Sequence, residues 1–408
     1  MREDWNMGLS SEDAGLAQAI LGLCLRRWGR LNAWYRPKLD NPSRGVPVGT
    51  QVALCMGLAQ LAWLPGVASH AAVDESVKLV SDSEIGFPPH RGLVNAILRS
   101  AAKDRELLAN ELGSLPPELD RSPFTEKLLL AALQDQGATD NINALWGKLQ
   151  RPPRPSFVVL NGEPPNELVP DDQFPQGWRL LPSATFPSRW LGSGAGMVQD
   201  VSSQALMAFD WPSEKNRPMR ILDVCAAPGG KTTLLARRWP DTRITALEQN
   251  QRRAQRMREN LTARGAKAEI VVAEAAAWLH ACGQSFDLIL IDAPCSASGT
   301  IQKHPELNWI YRHQDIARMT LIQESLLDAA VPRLAQDGLL VYSVCSWFQE
   351  EGMGHIPRLE SKYPRLRAAP VWQKSPCGAG GGHVFRPDPL KWEGEGFQGF
   401  ALTLAGNT

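Results

Sequence analysis

The sequence has no long hydrophobic run, no excess of charge of either sign and no closely spaced pair of cysteines. No apolar stretch approaches the ~20 residues of a membrane-spanning helix, so an integral membrane protein is not indicated. Residues 1–6 are acidic and lack the apolar segment of a signal peptide, so a cytoplasmic protein is expected. The 43 basic and 43 acidic residues cancel, so contacts with a nucleic acid must come from local basic groups.

The seven cysteines are scattered, and none has the Cys-x-x-Cys spacing of zinc or redox motifs. We therefore expect free thiols in a reducing compartment. No cluster of His, Asp and Glu accompanies them, so no metal is predicted. The 408 residues, of which 43% are hydrophobic, are enough for two or three globular domains.

The first part of the chain, residues 1–135, is predicted to be an all-helical domain. Acidic residues follow Ser10 at a helix start, and apolar residues from Leu16 to Leu31 recur at helical spacing. Prolines interrupt residues 136–196, which are predicted to connect the domains and to contain one short strand near residues 157–160. Residues 197–408 are predicted to form the last domain.

From Met219 onward, strand-like apolar runs alternate with helical segments. This alternation predicts an α/β fold with a mostly parallel, doubly wound sheet, in which ligands bind beyond the carboxyl ends of the strands. Chemistry is therefore expected just after Val224, Leu247, Ile291 and Tyr342. The predicted strands are 221–224, 243–247, 269–272, 286–291 and 338–342, and the predicted helices are 231–238, 251–263 and 315–334.

A glycine-containing turn, Asp223-Val-Cys-Ala-Ala-Pro-Gly-Gly-Lys-Thr232, follows the first of these strands. Small residues let a ligand approach the backbone, and the next helix offers free N–H groups. A Walker A loop is disfavoured because Cys225 stands where its first glycine belongs, and Gly-x-Gly-x-x-Gly is absent. Glu248 and Glu274 end the next two strands, where acidic groups can bind ribose and adenine. The combination predicts an adenosine-containing ligand such as S-adenosylmethionine.

Two cysteines follow the next two strands, in Asp292-Ala-Pro-Cys295 and in Ser343-Val-Cys345. A single cysteine there is usually a small buried hydrophobe, but two at neighbouring ligand-binding strand ends favour catalysis. A metal-binding role for Asp292 is disfavoured because no other ligand residues cluster nearby.

Cytosine methylation explains why two thiols and a carboxyl group would meet at one site. Carbon 5 of cytosine is too weak a nucleophile to take a methyl group unaided. A thiolate that adds to carbon 6 makes an enamine, whose carbon 5 can attack. A protonated Asp292 can stabilise the charge that develops toward N3. Lys231 and Lys303 are candidates for lowering the pKa of the attacking thiol.

These motifs resemble the Sun (RsmB-like) family of RNA cytosine-5 methyltransferases. The resemblance rests on residues 223–232, 292–299 and 343–346, and also on Gln199-Asp200-x-Ser-Ser203 and Lys303-His-Pro-Glu306. It implies that Cys345 is the nucleophile and that Cys295 helps to release the product. It also implies that S-adenosylmethionine is bound by Cys225, Ala226, Ala227, Pro228, Gly229, Gly230, Lys231, Glu248, Glu274 and Asp292.

The resemblance extends to the helical region. Segments 70–77 and 91–99 resemble the NusB-like domain of bacterial RsmB-type enzymes, which act on 16S ribosomal RNA. This implies 16S ribosomal RNA as the partner; a helical packing domain without RNA contact is the alternative. Arg151 and Arg154 are candidates for contacts with the RNA backbone, and a target base in structured RNA must be extruded to reach Cys345. A monomer is expected.

Some positions depart from the family pattern. Glu248 and Glu274 stand where aspartate is usual, Val344 where threonine is usual and Gly352 where asparagine is usual. The strand near residues 157–161 lacks a usual arginine. These departures keep open an RNA-binding assembly factor with little turnover, and a methyltransferase of another RNA, such as transfer RNA. A DNA methyltransferase with Cys295 as nucleophile is disfavoured by the second cysteine.

Overall fold

The computed structural model describes residues 8–134, 139–212 and 217–405, so the acidic residues 1–6 lie outside it. Two compact units divide the described chain. The first unit contains residues 8–126 and 305–310, and the second contains residues 127–304 and 311–405 apart from the undescribed gaps. The domain boundaries at residues 135 and 196 stay a prediction.

The helices are, in chain order, α1 (Ser11–Tyr35), α2 (Val48–Trp63), α3 (Ser69–Ser81), α4 (Arg91–Ala101), α5 (Arg105–Ser114), α6 (Pro123–Gln134), α7 (Ile142–Leu149), α8 (Ser188–Gly192), α9 (Val201–Met207), α10 (Gly230–Arg238), α11 (Gln251–Ala263), α12 (Ala275–Ala281), α13 (Leu307–Ile310), α14 (His313–Ala330) and α15 (His355–Lys362). The strands are β1 (Ser156–Val159), β2 (Leu168–Pro170), β3 (Trp178–Leu180), β4 (Gly196–Val198), β5 (Arg220–Val224), β6 (Arg243–Leu247), β7 (Glu269–Val271), β8 (Phe286–Asp292), β9 (Leu334–Val344), β10 (Leu366–Ala368), β11 (Gly378–Ala379), β12 (Val384–Phe385) and β13 (Gln398–Leu404). Among the described residues, none of the helices combines the length and apolarity that crossing a membrane requires.

The first unit is helical, as the sequence predicts. Its longest helix, α1, is capped by Ser10, whose side chain accepts a hydrogen bond from the Asp13 N–H. α1 is kinked at Arg27, and the Asp120 carboxylate accepts hydrogen bonds from both the backbone and the side chain of Arg30, at 2.9 and 2.6 Å. Because Asp120 is fully buried, this ion pair ties α1 to the turn at residues 117–120.

The second unit contains the predicted parallel sheet. β7, β6, β5, β8 and β9 lie side by side in that order and are parallel. β5 and β8 are buried over most of their length, as expected of strands that are covered on both faces. β13 pairs antiparallel with β9 and extends the sheet through β12 and β11, an extension that the β-α alternation does not predict.

Residues 156–198 contain more structure than the single strand expected from sequence. β1, β2, β3 and β4 form a separate antiparallel sheet in the order β2-β3-β1-β4. These strands are three or four residues long, too short for apolar alternation to reveal them. Phe157 in β1 is completely buried, and its ring lies 5.7 Å from that of Phe186.

Candidate active site

The turn after β5 places small residues against the sheet edge. Cys225 and Gly229 have positive φ angles of 62° and 94°, and Gly229 lies immediately before α10. The Ala226 N–H donates to the Leu247 carbonyl at 2.8 Å, which holds the turn against the end of β6. The left-handed conformation explains the glycine at position 229. A side chain at Cys225 is tolerated there at some conformational cost.

A cavity of about 270 Å³ opens beside this turn, at the carboxyl ends of β5, β6, β8 and β9. This is where ligands bind in open α/β sheets. Its walls combine carboxylates with small and apolar groups, which suits a nucleoside. The lining residues are Cys225, Ala227, Leu247, Glu248, Gln249, Arg253, Ala273, Glu274, Ala275, Asp292, Ala293, Pro294, Cys295, Ala297, Ile322, Leu326 and Cys345.

The two predicted glutamates both line this cavity, but their partners differ. The buried Glu248 accepts a hydrogen bond from the Asn250 N–H at 2.8 Å, and its other oxygen lies 3.4 Å from Arg253. Glu274 caps α12 by accepting from the N–H groups of Ala276 and Ala277. Both carboxylates keep lone pairs, so ribose or adenine donors can also bind to them.

The rest of the predicted cofactor residues build the turn around the cavity. Ala226 and Pro228 belong to the turn, Gly229 is the N-cap residue of α10, and Gly230 is its first residue. Gly229 has little spare room, since an added Cβ would come within 3.1 Å of Met257. Lys231 extends from the first turn of α10 to Asp292. The acid positions, the close backbone approach and the cavity together fit S-adenosylmethionine.

The two predicted catalytic cysteines are adjacent in space. The Sγ atoms of Cys295 and Cys345 lie 3.5 Å apart, although the residues are 50 positions apart in sequence. Both thiols are free and partly buried. Their proximity follows from the sheet, because β8 and β9 are parallel neighbours with Asp292 in register with Ser343.

Asp292 lies at the centre of a charged hydrogen-bonded group. One of its oxygens accepts from Lys231 Nζ at 2.6 Å, and the other accepts from Ser343 Oγ at 2.8 Å. Burial alone would lower the pKa of Lys231, but the Asp292 carboxylate outweighs it, so the pKa is raised. Lys231 therefore carries a proton next to Asp292. Phe397 lies beside this pair, with its ring centre 5.3 Å from Lys231 Nζ.

The pKa of Cys345 is raised in this structure, not lowered as the sequence suggested. The hydrogen bond with Cys295, followed by burial, raises the pKa of Cys345 well above its usual value. The nearby carboxylates of Asp292 and Glu395 raise it further. Lys231 is paired with Asp292, and Lys303 lies 3.7 Å from Glu395, so each lysine faces an acid. The thiol is protonated in this state.

Sequence reasoning missed three residues of the site. Glu351 is fully buried and hydrogen-bonds to both cysteine loops. Burial raises the pKa of Glu395 to about 7, and its neighbour Gly396 donates a backbone hydrogen bond to Gly299 at 2.9 Å. The third is Phe397 beside Lys231. The sequence offered two clues to these residues. Ser296 and Ser346, one after each cysteine, pointed to a shared partner such as Glu351, and the segment Gly-Glu-Gly-Phe at 394–397 contains Glu395 and Phe397.

No group of three or more His, Cys, Asp or Glu side chains is arranged to hold a metal ion within the part of the chain that the structure describes. The site consists of a nucleoside-sized cavity, a pair of thiols and a Lys–Asp ion pair at one sheet edge.

This fold and site define a methyltransferase of the Rossmann-like class. The fold is similar to that of a crystal structure designated PH0851, with a TM-score of 0.73 and 20% identity over 97% of this chain and 91% of that chain. It is also similar to NSun6 from Pyrococcus horikoshii with SFG, with a TM-score of 0.58 and 20% identity over 69% of this chain and 98% of that one.

Sequence comparisons identify the family. The family described as 16S rRNA methyltransferase RsmB/F matches residues 211–398, and the NusB family matches residues 3–103. Ribosomal RNA small subunit methyltransferase B from Salmonella paratyphi B is 30% identical over 369 residues, which cover 87% of this chain and 84% of the relative. The protein of that name from Escherichia fergusonii is 31% identical over 352 residues, which cover 84% and 81%. The chain belongs to the RsmB/F family and is an S-adenosylmethionine-dependent RNA cytosine-5 methyltransferase with a NusB-like helical region.

Proposed function

We propose that this protein methylates carbon 5 of a cytosine in 16S ribosomal RNA through a covalent adduct with Cys345. The observation that carries the proposal is the 3.5 Å separation of the Cys295 and Cys345 thiols beside the cofactor cavity. Support for the substrate comes from relatives at 30% and 31% identity that are named as small-subunit ribosomal RNA methyltransferases.

The side chains can be assigned to successive steps. Cys345 adds to carbon 6 of the cytosine, and the electrons displaced from the ring are balanced by a proton delivered to N3. We assign this transfer to Asp292, which lines the same cavity as Cys345: its carboxylate takes the Cys345 thiol proton and passes it to N3, while Lys231, 2.6 Å from one of its oxygens, keeps its own proton. S-adenosylmethionine supplies the methyl group that carbon 5 takes. Cys295 then assists transfer of the carbon-5 proton to water, the Cys345 thiolate leaves as the double bond between carbons 5 and 6 re-forms, and the N3 proton returns through Asp292 to that thiolate.

The raised pKa of Cys345 gives the neighbouring cysteine a role in the attack. Cys345 must lose a proton before it attacks, and its pKa is raised in this state. Cys295 lies at hydrogen-bonding distance and can exchange a proton with it. Attack is therefore expected to require the RNA, because the bound cytosine supplies N3, the atom that accepts a proton when Cys345 attacks.

The activity is tested with labelled S-adenosylmethionine and 16S RNA from cells that lack this protein. Label is expected in 5-methylcytosine of that RNA. Transfer RNA serves as the comparison substrate. Label in transfer RNA alone would show that transfer RNA, and not 16S ribosomal RNA, is the substrate. RNA binding without any label would favour an assembly factor.

The roles of the thiols are tested by replacing each one. Cys295→Ala should accumulate a covalent RNA–protein adduct that survives denaturing electrophoresis, because attack remains and release is lost. Cys345→Ala should form no adduct. If the adduct instead required Cys295, the two roles would be reversed, as in the DNA-enzyme arrangement.

A second cavity in the same unit supports RNA binding. It has a volume of about 460 Å³, and its lining includes Arg151 and Arg154, the two arginines selected from the sequence. Arg179 and Lys148 also line it, but an Asp171 carboxylate pairs with Arg179, and Glu393 lies 3.9 Å from Lys148. Arg151 and Arg154 are exposed, so they can neutralise RNA phosphates.

A short stretch of chain connects the wall of this cavity to the catalytic site. Glu393, in its wall, lies only two residues before Glu395 and four before Phe397. Four residues span at most ~14 Å, so a strand whose base enters the catalytic site can place a flanking phosphate against the arginines. We propose that the second cavity binds the RNA backbone beside the target cytosine.

A further inference from the structure

A buried carboxylate joins the two loops that carry the cysteines. Glu351 is completely buried, and it lies in the short helical turn at residues 349–351 that follows β9. One of its oxygens accepts from the Ser296 backbone N–H at 2.7 Å. The other accepts from both Ser296 Oγ and Ser346 Oγ, each at 2.5 Å. A single carboxylate oxygen thus bonds to a serine from each cysteine loop.

The two serines occupy equivalent places. Ser296 immediately follows Cys295, and Ser346 immediately follows Cys345. Because each serine is one peptide away from a thiol, a fixed distance between the serines restricts the distance between the thiols. Ser298 adds a third hydroxyl, 2.9 Å from Ser346 Oγ. Charged hydrogen bonds of this kind are stronger than neutral ones, and a buried network holds a defined geometry only when all its members are satisfied.

The two loops do not depend on Glu351 equally. Cys345 follows the long strand β9, and its carbonyl accepts from the Gly299 N–H at 3.0 Å. Cys295 lies outside regular structure, three residues beyond β8. Its loop is anchored by Glu351 at Ser296 and by Gln323, which donates to the Pro294 carbonyl at 2.9 Å. Loss of Glu351 should therefore displace Cys295 more than Cys345.

We propose that Glu351 is a positioning residue that fixes Cys295 against Cys345 and so sets the rate of product release. This inference rests on the proposed covalent mechanism. A carboxylate only accepts hydrogen bonds, whereas a glutamine amide also donates. Glutamine at position 351 would therefore replace one accepting oxygen by an amide NH2 that donates to the two hydroxyls, so the charged hydrogen bonds are lost and both serines must change from donors to acceptors. Displacement by about 1 Å can cost ~100-fold in rate.

The test compares Glu351→Gln with Glu350→Gln, a matched control at the neighbouring exposed position. For Glu351→Gln, methyl transfer in a single turnover should stay within about threefold of the unmodified protein, because Cys345 keeps its place at the end of β9. Steady-state turnover should fall more than about tenfold, and methylated RNA should stay covalently attached to the protein. Glu351→Asp keeps the charge and should partly restore release, whereas Glu350→Gln should behave like the unmodified protein.

A purely structural role predicts a different result, in which methyl transfer, adduct and cofactor affinity all fall together. That result, or a Glu351→Gln variant indistinguishable from Glu350→Gln, would overturn the inference. If Glu351→Gln does not fold, Ser296→Ala and Ser346→Ala replace it, since each removes one hydroxyl from the same oxygen. Ser296→Ala should accumulate adduct, and Ser346→Ala should slow its formation; equal effects of the two on both steps would overturn the inference.

Cys295→Ala is assayed in parallel to separate the two proposals. If Cys295→Ala traps an adduct and Glu351→Gln does not, the positioning role of Glu351 is wrong and the covalent mechanism stands. If Cys295→Ala traps none, the covalent mechanism with Cys345 as the nucleophile fails.

Discussion

Single buried ionisable groups set the chemistry of this site. Asp223, at the end of β5, is completely buried and accepts a hydrogen bond from Thr232 Oγ1 at 2.6 Å. Its other oxygen has no hydrogen-bond partner within the described residues. Burial is the main cause that raises its pKa to about 7, with the nearby Asp292 adding to the effect. Asp223 is therefore held in its protonated form below neutral pH.

This carboxyl group should make stability depend on pH. The folded-state pKa of about 7 lies above the unfolded value, ~3.9. The favourable contribution of Asp223 is therefore complete below pH ~4 and is lost as the pH rises through about 7. Asp223→Asn keeps the acceptor for Thr232 and removes this loss. We expect it to be more stable than the unmodified protein by roughly 4 kcal/mol at pH 8 and not at pH 4.

Chemical denaturation of both proteins at several pH values from 4 to 8 checks this prediction. Parallel stability curves for the two proteins would contradict it, because they would show that Asp223 does not titrate in the folded state. Glu395, whose burial also raises its pKa to about 7, remains in both proteins, so the difference between the curves isolates Asp223.

At the level of elements, three loops meet at the site: the loop that follows β8, the loop that follows β9 and the loop that precedes β13. Gly299 donates its N–H to the Cys345 carbonyl, and its own carbonyl accepts from Gly396. A Cβ at Gly299 would lie 1.9 Å from the Gly396 carbonyl oxygen. The backbones at Gly299 and Gly396 therefore leave no room for a side chain at position 299. Glycine is required there by this close contact and not by the flexibility of the chain.

Gly299→Ala should push the Cys295 loop away from the loop that contains Gly396 and so disturb the hydrogen bond from Gly299 to the Cys345 carbonyl. We expect methyl transfer to fall by roughly 100-fold, since reacting groups are sensitive to displacements of about 1 Å. Gly283→Ala is the matched control, because that exposed glycine has no neighbour within 4 Å of an added Cβ. Equal activity of the two variants would show that the contact between the loops does not set the thiol geometry.

The second cavity gives a prediction for RNA binding. Arg151→Gln and Arg154→Gln should raise the KM for RNA and leave the rate at saturating RNA within about twofold of the unmodified protein, since the proposal gives these arginines contacts to phosphates only. Each lost phosphate contact should also reduce the slope of log affinity against log salt by about 1. Arg252→Gln, at an exposed arginine of α11, is the control. An unchanged salt slope in the cavity variants would place the RNA elsewhere.

At the level of the whole molecule, the chain does not divide into its compact units at a single point. Residues 305–310 follow the cysteine motif of β8 in sequence, but they belong to the helical unit. Within that unit, Asn308 is buried, donates to the Asp120 carbonyl at 2.7 Å and accepts from the Ser122 N–H at 3.0 Å. Trp309 Nε1 donates to the Leu25 carbonyl at 2.7 Å.

Asn308→Ala should therefore weaken the helical unit, although it lies far from that unit in sequence. Leaving buried backbone groups without partners costs ~1–3 kcal/mol for each group. We expect faster hydrogen exchange around residues 117–125 and unchanged protection in β8 and β9. Exchange followed by mass spectrometry measures both regions in one experiment. Faster exchange confined to the strands would refute the assignment of residues 305–310 to the helical unit.

The sequence determined the local features of this protein. β6 and α11 begin and end where their patterns predict, and β5 and β8 differ from prediction by one residue at an end. The glycine turn and the two cysteine motifs could also be read from the sequence. Apolar period and turn residues are local properties of the chain, so they need no knowledge of distant neighbours.

Only the tertiary structure decided how the motifs act together. The short strands β2 and β3 and the antiparallel extension from β13 to β11 are defined by pairing rather than by local pattern. The 3.5 Å between the thiols depends on the register of β8 and β9. The raised pKa of Cys345 and the buried Glu351 between the loops depend on what surrounds them after folding. Burial and long-range contacts belong to the assembled fold, because they arise between residues that the sequence places far apart.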